Sequence, residues 1–267
     1  MPELPEVETI AQALNRALRG AEVARAEVLR RALRVGCVLP DSFESRLENR
    51  RILGVRRQAK SVRIDLAGGD TLAVALGMTG KLLIGPARPA EKHDHVRLHL
   101  ADGRILAFND ARRFGSLALA PTESDSESQA ADPLTLTGAG LAGVMKGRRG
   151  AVKVALLDQR LIAGLGNIYA CEALFGAGVA PLRPAGALTA EEYAALAAEI
   201  GAVLRASIAA GGTTFRDFRH ADGSKGSFVE QLRVYGRASE PCPRCGAPVV
   251  RTVVSGRSTF ACAGCQK

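Results

Sequence analysis

Residues 62–76 read VRIDLAGGDTLAVAL, and large apolar side chains alternate with small or polar ones in Val62–Leu66 and again in Leu72–Leu76. A two-residue period of this kind predicts β-strands that bury one face. The same alternation occurs in Val96–Leu100, just before a turn-forming Asp-Gly pair. We therefore expect the first half of the chain to be a sandwich or barrel of antiparallel strands.

Residues 121–129, PTESDSESQ, form a polar, acidic stretch that cannot pack a core, and we place a domain boundary there. Helical periodicity dominates the chain beyond this stretch, and one helix is also predicted ahead of the strands. The expected helices are Pro5–Leu18, Val152–Leu157, Ile168–Phe175 and a long alanine-rich segment that begins at a Thr189-Glu192 capping box and ends at Gly211-Gly212. The fold class is thus α+β, with an N-terminal antiparallel β-sandwich, flanking helices and a helical second part.

The charge of the chain favours a polyanionic partner. Lys and Arg number 36 against 27 Asp and Glu, which gives a formal net charge of +9. Such an excess suits nucleic acid or an acidic membrane surface, and charge alone does not choose between them. Only 4% of residues are aromatic and there is no Trp, which is poor equipment for stacking unpaired bases and favours duplex DNA.

We expect a cytosolic protein without membrane segments. No apolar run approaches the roughly 20 residues that a membrane-spanning helix needs. The first turn of the chain is acidic, unlike a signal peptide.

Four cysteines near the C-terminus have the spacing of a structural zinc site. Cys242 and Cys245 are separated by sixteen residues from Cys262 and Cys265, as expected for two hairpin knuckles around one Zn²⁺. Four thiolates leave no open coordination position, so the metal should hold the hairpin together without taking part in chemistry. The two remaining cysteines, Cys37 and Cys171, are expected to be buried small hydrophobes.

Between the cysteine pairs, the hairpin should present Arg257 at a Gly-Arg tip. This side chain is either a solvated turn residue or a phosphate contact, and spacing alone favours the first.

The opening Met1–Glu8, MPELPEVE, is where the sequence resembles the formamidopyrimidine-DNA glycosylase family, bacterial enzymes that remove oxidised purines. The resemblance continues in family order through the whole chain. Its further motifs are Gln58–Lys60 (QAK), Leu76–Gly80 (LGMTG), Lys92–His95 (KHDH), Asp110–Gly115 (DARRFG), Gly164–Tyr169 (GLGNIY), Gly211–Thr214 (GGTT) and the cysteine hairpin.

The resemblance implies three domains and a reaction. The domains would be a catalytic β-sandwich (1–130), a DNA-binding domain of the helix-two-turn-helix type (131–236) and a four-cysteine zinc finger (237–267). The enzyme would excise oxidised purines such as 8-oxoguanine and formamidopyrimidines through a Schiff base. It would then cut the strand by β,δ-elimination, as a base excision repair glycosylase and AP lyase.

The implied catalytic residues are Pro2, Glu3, Lys60 and Arg257. Loss of Met1 would leave Pro2 with a secondary amine, and α-amino groups titrate near about 7.7 to 8.0, so part of it is unprotonated and nucleophilic at neutral pH. Glu3 would move protons on the opening sugar. Lys60 would contact DNA and assist elimination, and Arg257 would bind the phosphate beside the lesion. Without the family pattern, Pro2 and Glu3 would be ordinary residues at a helix start.

The implied DNA contacts fall into two groups. Met78, Arg112 and Phe114 would fill the gap left by the extruded base, although as isolated residues Met78 and Phe114 would be interpreted as core. The residues expected to hold the backbone are His93, Arg149, Lys153 and Asn167. The loop 213–228 is expected to cover the extruded base.

Two other functions remain open at this stage. An endonuclease VIII-type enzyme uses a related scaffold on oxidised pyrimidines, and a non-catalytic zinc protein would need only the positive charge and the hairpin. The expected partner is damaged double-stranded DNA. The protein is expected to be a monomer in the bacterial cytoplasm, associated with the nucleoid when it is bound to DNA.

Overall fold

The computed structural model describes residues 2–34, 36–122, 130–215 and 218–267. The chain divides into two compact units, of which the first comprises 1–127 with 210–227 and the second comprises 128–209 with 228–267. Most of the acidic stretch at which we place the domain boundary, residues 123–129, lies outside the described residues. The three-domain division stays a prediction; in the structure, residues 210–227 group with the first unit.

The first unit is built on a sheet of antiparallel strands that pack against helix α1. Along the described chain the sheet has the order β10-β6-β5-β4-β1-β8-β9-β7. The elements are α1 (Leu4–Leu18), β1 (Glu22–Val28), β2 (Ala32–Arg34), β3 (Cys37–Val38), α2 (Phe43–Leu47), β4 (Arg50–Gln58), β5 (Ser61–Leu66), β6 (Asp70–Ala75), β7 (Lys81–Pro86), β8 (Asp94–Leu100), β9 (Arg104–Asn109) and β10 (Ser116–Pro121).

The sheet forms a sandwich because its two halves are joined by only a short stretch of pairing between β1 and β4. Strands β1 and β4 pair only at Glu22↔Arg51 and Val23↔Arg50, and the strands on either side of this junction contribute to the same hydrophobic core. The predicted α+β class with an N-terminal antiparallel sandwich is confirmed.

The strands and the first helix form where hydrophobic periodicity predicts them. In β5 the burial alternates strictly, with Val62, Ile64 and Leu66 inside. Helix α1 buries one face, lined by Val7, Ile10, Ala11, Leu14 and Leu18, against the same core. Burying one apolar face of each element is what stabilises both, because neither a lone strand nor a short helix is stable in water.

The second unit is mainly helical and ends in a hairpin. Its elements are α3 (Gly138–Met145), α4 (Val152–Leu157), α5 (Asn167–Ala177), α6 (Ala190–Ala209), β11 (Val250–Val254) and β12 (Arg257–Ala261). The predicted capping box is present, since Thr189 Oγ1 accepts the N–H of Glu192 and the Glu192 carboxylate accepts the N–H of Thr189. Within the described part of the chain, no helix is long and apolar enough to cross a membrane.

Candidate DNA-repair site

Two buried glutamates organise the N-terminus of the first unit. Glu3 is the N-cap of α1 and forms a capping box with Glu6, whose Oε2 accepts the backbone N–H of Glu3 at 2.7 Å. Glu3 and Glu6 are 6% and 2% exposed, and Pro2 is also buried. The capping box therefore fixes the backbone immediately after the proposed nucleophile.

The same Glu6 carboxylate also binds the segment 210–227. Its Oε1 accepts the backbone N–H of Thr213 at 2.8 Å. Gly212 has φ +83°, and a Cβ there would lie 3.2 Å from Glu6 Cγ. Because the two chain segments approach this closely, a side chain at position 212 would be both strained and crowded. One carboxylate thus connects the start of α1 to residues that come after α6.

The segment 210–227 has a second attachment to the first unit. Ala221 is buried in the sandwich core, and its carbonyl accepts the N–H of Ile84 at 3.0 Å. Within the segment, His220 Nε2 lies 2.6 Å from the carbonyl oxygen of Gly211. Because a carbonyl oxygen can only accept a hydrogen bond, Nε2 is the donor. The expected base-covering loop, in which residues 216–217 lie outside the described residues, is thus held on the sheet unit; its role stays a prediction.

Lys60 lies in a two-residue turn. The pairing of Gln58 with Ser61 closes the β4–β5 hairpin around Ala59 and Lys60, and Ala59 has φ +51°. Arg57 Nε donates to Glu8 Oε2 on α1 at 2.7 Å. The hairpin that carries Lys60 in its turn is therefore attached to the N-terminal half of α1, the helix that follows Pro2 and Glu3.

Met78 and Phe114 are not core residues, because 39% and 43% of their surfaces are exposed. The guanidinium of Arg112 lies 4.6 Å from the centre of the Phe114 ring, a cation–π arrangement. A Cβ at Gly77 would lie 2.5 Å from the Phe114 carbonyl carbon. The turn that presents Met78 therefore packs directly on the turn that presents Phe114.

Asp110 joins these two turns and is fully buried. Its Oδ1 accepts the hydroxyl of Thr79 at 2.5 Å and the N–H of Arg112 at 3.3 Å, while its Oδ2 accepts the N–H of Gly115 at 2.8 Å. A buried carboxylate needs several donors to be tolerated, and here the donors come from both turns. Met78, Arg112 and Phe114 consequently form one preassembled projection.

His93 has φ +76° in the turn before β8. The next residue, Asp94, is buried and accepts hydrogen bonds from Arg88 Nη1 at 2.8 Å, Asn109 Nδ2 at 2.9 Å and the N–H of Glu91 at 3.0 Å. Burial raises the pKa of Asp94, but these donors stabilise its charged form and leave the pKa below its ordinary value. The turn that presents His93 is thus held by a carboxylate.

In the second unit, Arg257 is exposed at the tip of the β11–β12 hairpin, where Val254 pairs with Arg257 across Ser255 and Gly256. Both turn residues have positive φ, +48° and +73°, as in a two-residue hairpin turn. Arg149 is also exposed. Asn167 is the first residue of α5, and its Nδ2 donates to the carbonyl of Ser258 at 2.9 Å.

Lys153 is buried in the second unit, and its predicted contact with the DNA backbone stays a prediction. Its side chain is 0% exposed, and Nζ donates to Ser258 O at 3.0 Å and Thr259 Oγ1 at 2.7 Å. Lys153 and Asn167 both bond to the residues immediately after Arg257, so the structure gives them a supporting position behind the hairpin tip.

The four predicted metal ligands converge. Their sulfur atoms lie within 4.8 Å of one another, with 3.8 Å between Cys242 and Cys265 and 3.4 Å between Cys245 and Cys262. Zn–S bonds of about 2.3 Å in a tetrahedron place sulfurs about 3.8 Å apart, so the residues fit one Zn²⁺. Of the two lone cysteines, Cys171 is buried and Cys37 is half-buried.

Family models match three successive parts of the chain. Residues 1–117 match the formamidopyrimidine-DNA glycosylase N-terminal domain, 130–219 match the H2TH domain of the same family, and 239–267 match the zinc finger found in FPG and IleRS. The chain belongs to the formamidopyrimidine-DNA glycosylase family. The predicted resemblance is confirmed, and the four cysteines are the metal site of this family's zinc finger.

Relatives and solved structures agree with this assignment. The chain is 46% identical to the formamidopyrimidine-DNA glycosylase of Cereibacter sphaeroides and 45% identical to that of Ruegeria pomeroyi, with all of each chain covered. A Lactococcus lactis FPG mutant in complex with Fapy-dG containing DNA has a TM-score of 0.90 at 29% identity, with full coverage of both chains. The MutM (FPG) protein of Thermus thermophilus has a TM-score of 0.85 at 39% identity, covering 99% of this chain and 98% of that one.

The structure adds site residues that we did not predict. Asp94 and Asp110 lie inside family motifs, but a single Asp beside a turn predicts only a turn former. The signal that distinguishes them is burial together with several donors, and it exists only in three dimensions.

Proposed function

We propose that this member of the formamidopyrimidine-DNA glycosylase family excises oxidised purines from duplex DNA and cleaves the strand at the resulting site. The observation that carries the proposal is the N-terminus: a proline followed by a buried glutamate that forms the Glu3–Glu6 capping box. The chain that carries it matches relatives of that name over its full length. The positive charge and the zinc hairpin also suit a DNA-binding protein without catalytic activity. That alternative does not account for the N-terminal proline and its buried glutamate.

The proposed reaction starts with the free amine of Pro2. Its nitrogen attacks C1′ of the damaged nucleotide, the bond from C1′ to the base breaks, and the base leaves with a proton. As the sugar ring opens, its oxygen takes up a proton, and the amine becomes a cationic imine. Glu3, adjacent in sequence and buried, is the group that we assign to these proton transfers.

The imine then permits strand cleavage. It acidifies the proton on C2′, whose loss expels the 3′ phosphate, and a second elimination expels the 5′ phosphate. We assign Lys60 to the first elimination and Arg257 to the phosphate that leaves in the second. Met78, Arg112 and Phe114 would occupy the space of the extruded base, which costs a few kcal/mol to unstack.

Borohydride trapping tests the proposal. Borohydride reduces an imine to a stable amine, so protein lacking Met1 should become covalently attached to a duplex that carries 8-oxoguanine opposite cytosine. Protein that retains Met1 should bind the duplex without being trapped, because its Pro2 nitrogen is part of a peptide bond and cannot form an imine. Binding without trapping by the wild-type protein, with both strands intact, would contradict the proposal.

A comparison of substrates tests the base preference. Cleavage of 8-oxoguanine, formamidopyrimidine and thymine glycol should be measured in otherwise identical duplexes. We expect the two purine lesions to be processed faster; faster cleavage at thymine glycol would favour the endonuclease VIII-type specificity.

We further propose that the protein acts as a monomer in the bacterial cytoplasm, with the nucleoid as its site of action. One chain supplies every residue assigned above, which supports a monomer. Sedimentation velocity should give a monomer for the free protein and a complex of one protein with one duplex that carries a single lesion. A stable dimer in either sample would contradict the proposal.

A further inference from the structure

The β2–β3 hairpin has no part in the proposed chemistry, yet it places Arg34 beside Arg112 and Phe114. In β2 the burial alternates, with Leu33 in the sandwich core and Arg34 exposed. β2 pairs with β3 (Ala32↔Val38, Arg34↔Cys37), and Cys37 Sγ lies 3.6 Å from the carbonyl oxygen of Leu117 in β10. The hairpin is therefore anchored beside the strand that continues from Phe114, and its alternation directs Arg34 outward.

Arg34 shares an open cavity of about 660 Å³ with Arg112, Arg113 and Phe114. All three arginines are exposed, and no acidic residue lines the cavity. Among the residues that the structure describes, none of the three forms an ion pair, whereas nearby Arg31 binds Glu44 and Arg46 binds Asp70. The cavity is thus a concentration of uncompensated positive charge in a protein that pairs many of its other arginines.

The backbone at Arg113 is held in an uncommon conformation. Its φ is +55°, which costs a residue other than glycine about 1 kcal/mol or more. The N–H groups on both sides of it, at Arg112 and Gly115, bind the buried Asp110 carboxylate. The buried Asp110 carboxylate therefore holds the backbone of Arg113 in this conformation.

We propose that Arg34 and Arg113 bind backbone phosphates of the duplex beside the point where Phe114 and Arg112 enter it. Guanidinium groups match phosphate oxygens in a bidentate geometry. A duplex presents one phosphate about every 1.7 Å of its axis, so cations that share a cavity with an inserted residue meet the backbone. This inference rests on the proposed function, because it assumes that the Phe114 projection enters DNA.

The dependence of binding on salt tests the proposal. We would measure the affinity of wild type, Arg34→Ala, Arg113→Ala and the double variant for a duplex with an uncleavable abasic analogue between 50 and 200 mM KCl. Each lost phosphate contact should reduce the slope of log K against log salt by about 0.9. Arg34→Lys should retain most of the slope, because it keeps the charge.

The matched control is Arg19→Ala. Arg19 is an exposed arginine at the end of α1, outside the cavity, and its removal should leave the slope unchanged. A wild-type slope in Arg34→Ala, or equal losses in Arg34→Ala and Arg19→Ala, would overturn the proposal.

A second arm separates duplex DNA from free phosphate as the ligand. Chloride is replaced by inorganic phosphate at constant ionic strength, and DNA affinity is measured again. We expect the wild type and the Arg34→Ala variant to lose affinity by the same factor. Strong competition confined to the wild type, with equal salt slopes, would make the cavity a free-phosphate site and overturn the assignment. A wild-type protein that shows the predicted slopes but excises no base would refute the proposed function and still support this inference.

Discussion

At the scale of single residues, burial decides what a charged side chain can do. Lys153 has the ammonium group expected of a phosphate contact, yet it is enclosed and donates to Ser258 and Thr259. These residues come directly after Arg257 in β12. We therefore predict that Lys153 keeps the hairpin tip in place.

Replacing Lys153 by Met tests this role. The variant keeps the length of the side chain and removes two charge-assisted hydrogen bonds, leaving a carbonyl and a hydroxyl without this donor, which costs about 1–3 kcal/mol. We expect a lower melting temperature together with weaker DNA binding, because the hairpin tip that carries Arg257 loses its support.

The exposed Arg149 provides the contrasting variant. Arg149→Ala should preserve the melting temperature and reduce the slope of log K against log salt by about 0.9. A reduced salt slope in Lys153→Met, with unchanged thermal stability, would show that the ammonium reaches the backbone after all.

At the scale of elements, the family motifs locate the base-filling residues but give no account of how they are joined. Thr79 and Asp110 are thirty-one positions apart, and they meet because β7 and β9 pair at Lys81↔Asn109. Strand register is set by the packing of the whole sandwich. The sequence therefore predicts the strands and the motifs, and the hydrogen bond between Thr79 and Asp110 emerges only when the sheet assembles.

We predict that Thr79→Val loosens the Met78 turn from the Phe114 turn, because valine has the same shape without the hydroxyl donor. Loss of a hydrogen bond to a charged group costs about 1.5–3 kcal/mol, so single-turnover excision of 8-oxoguanine should slow by about tenfold or more. Cleavage at a preformed abasic site should change little, because there is no stacked base to extrude. Thr79→Ser keeps the donor and is the control; equal slowing on both substrates would argue against a base-filling role.

The turn before β8 should depend on pH through Asp94. A carboxyl whose pKa is lowered by folding stabilises the protein at neutral pH, and this contribution is lost as the pH falls through the ordinary value near 3.8 and below it. Asp94→Asn should therefore lower the free energy of unfolding at pH 7, and its difference from the wild type should shrink below about pH 4. Urea unfolding at several pH values measures this; a difference that is constant with pH would mean that shape, and not charge, is what Asp94 contributes.

At the scale of the whole molecule, the sequence predicts the order of elements better than their grouping. The alternating strands, the capped long helix and the cysteine hairpin form where the pattern predicts them. Residues 210–227 come after α6 along the chain, yet they group with the first unit because Glu6 binds Thr213 and Ala221 enters the sandwich core. Local patterns carry no information about such long-range attachments, and the short strands β2 and β3 are too brief for periodicity to reveal.

The zinc site should stabilise the C-terminal hairpin and its packing on helix α5. The sulfur ligands Cys242 and Cys262 are buried in one apolar cluster with Phe175, Val234 and Phe260, so the metal joins the hairpin to helix α5. Without the ion, a hairpin of two five-residue strands has little core of its own.

Removal of zinc by chelation, or Cys262→Ser, should therefore abolish amide hydrogen-exchange protection in β11 and β12 and weaken it in α5, while the strands of the sandwich remain protected. DNA affinity should fall together with this protection, because Arg257 loses its fixed support. Cys37→Ser lies outside the cluster and should retain zinc and the protection of β11 and β12. Full protection of β11 and β12 in metal-free protein would mean that the apolar cluster alone folds the hairpin, and Arg257 would then keep its position without the metal.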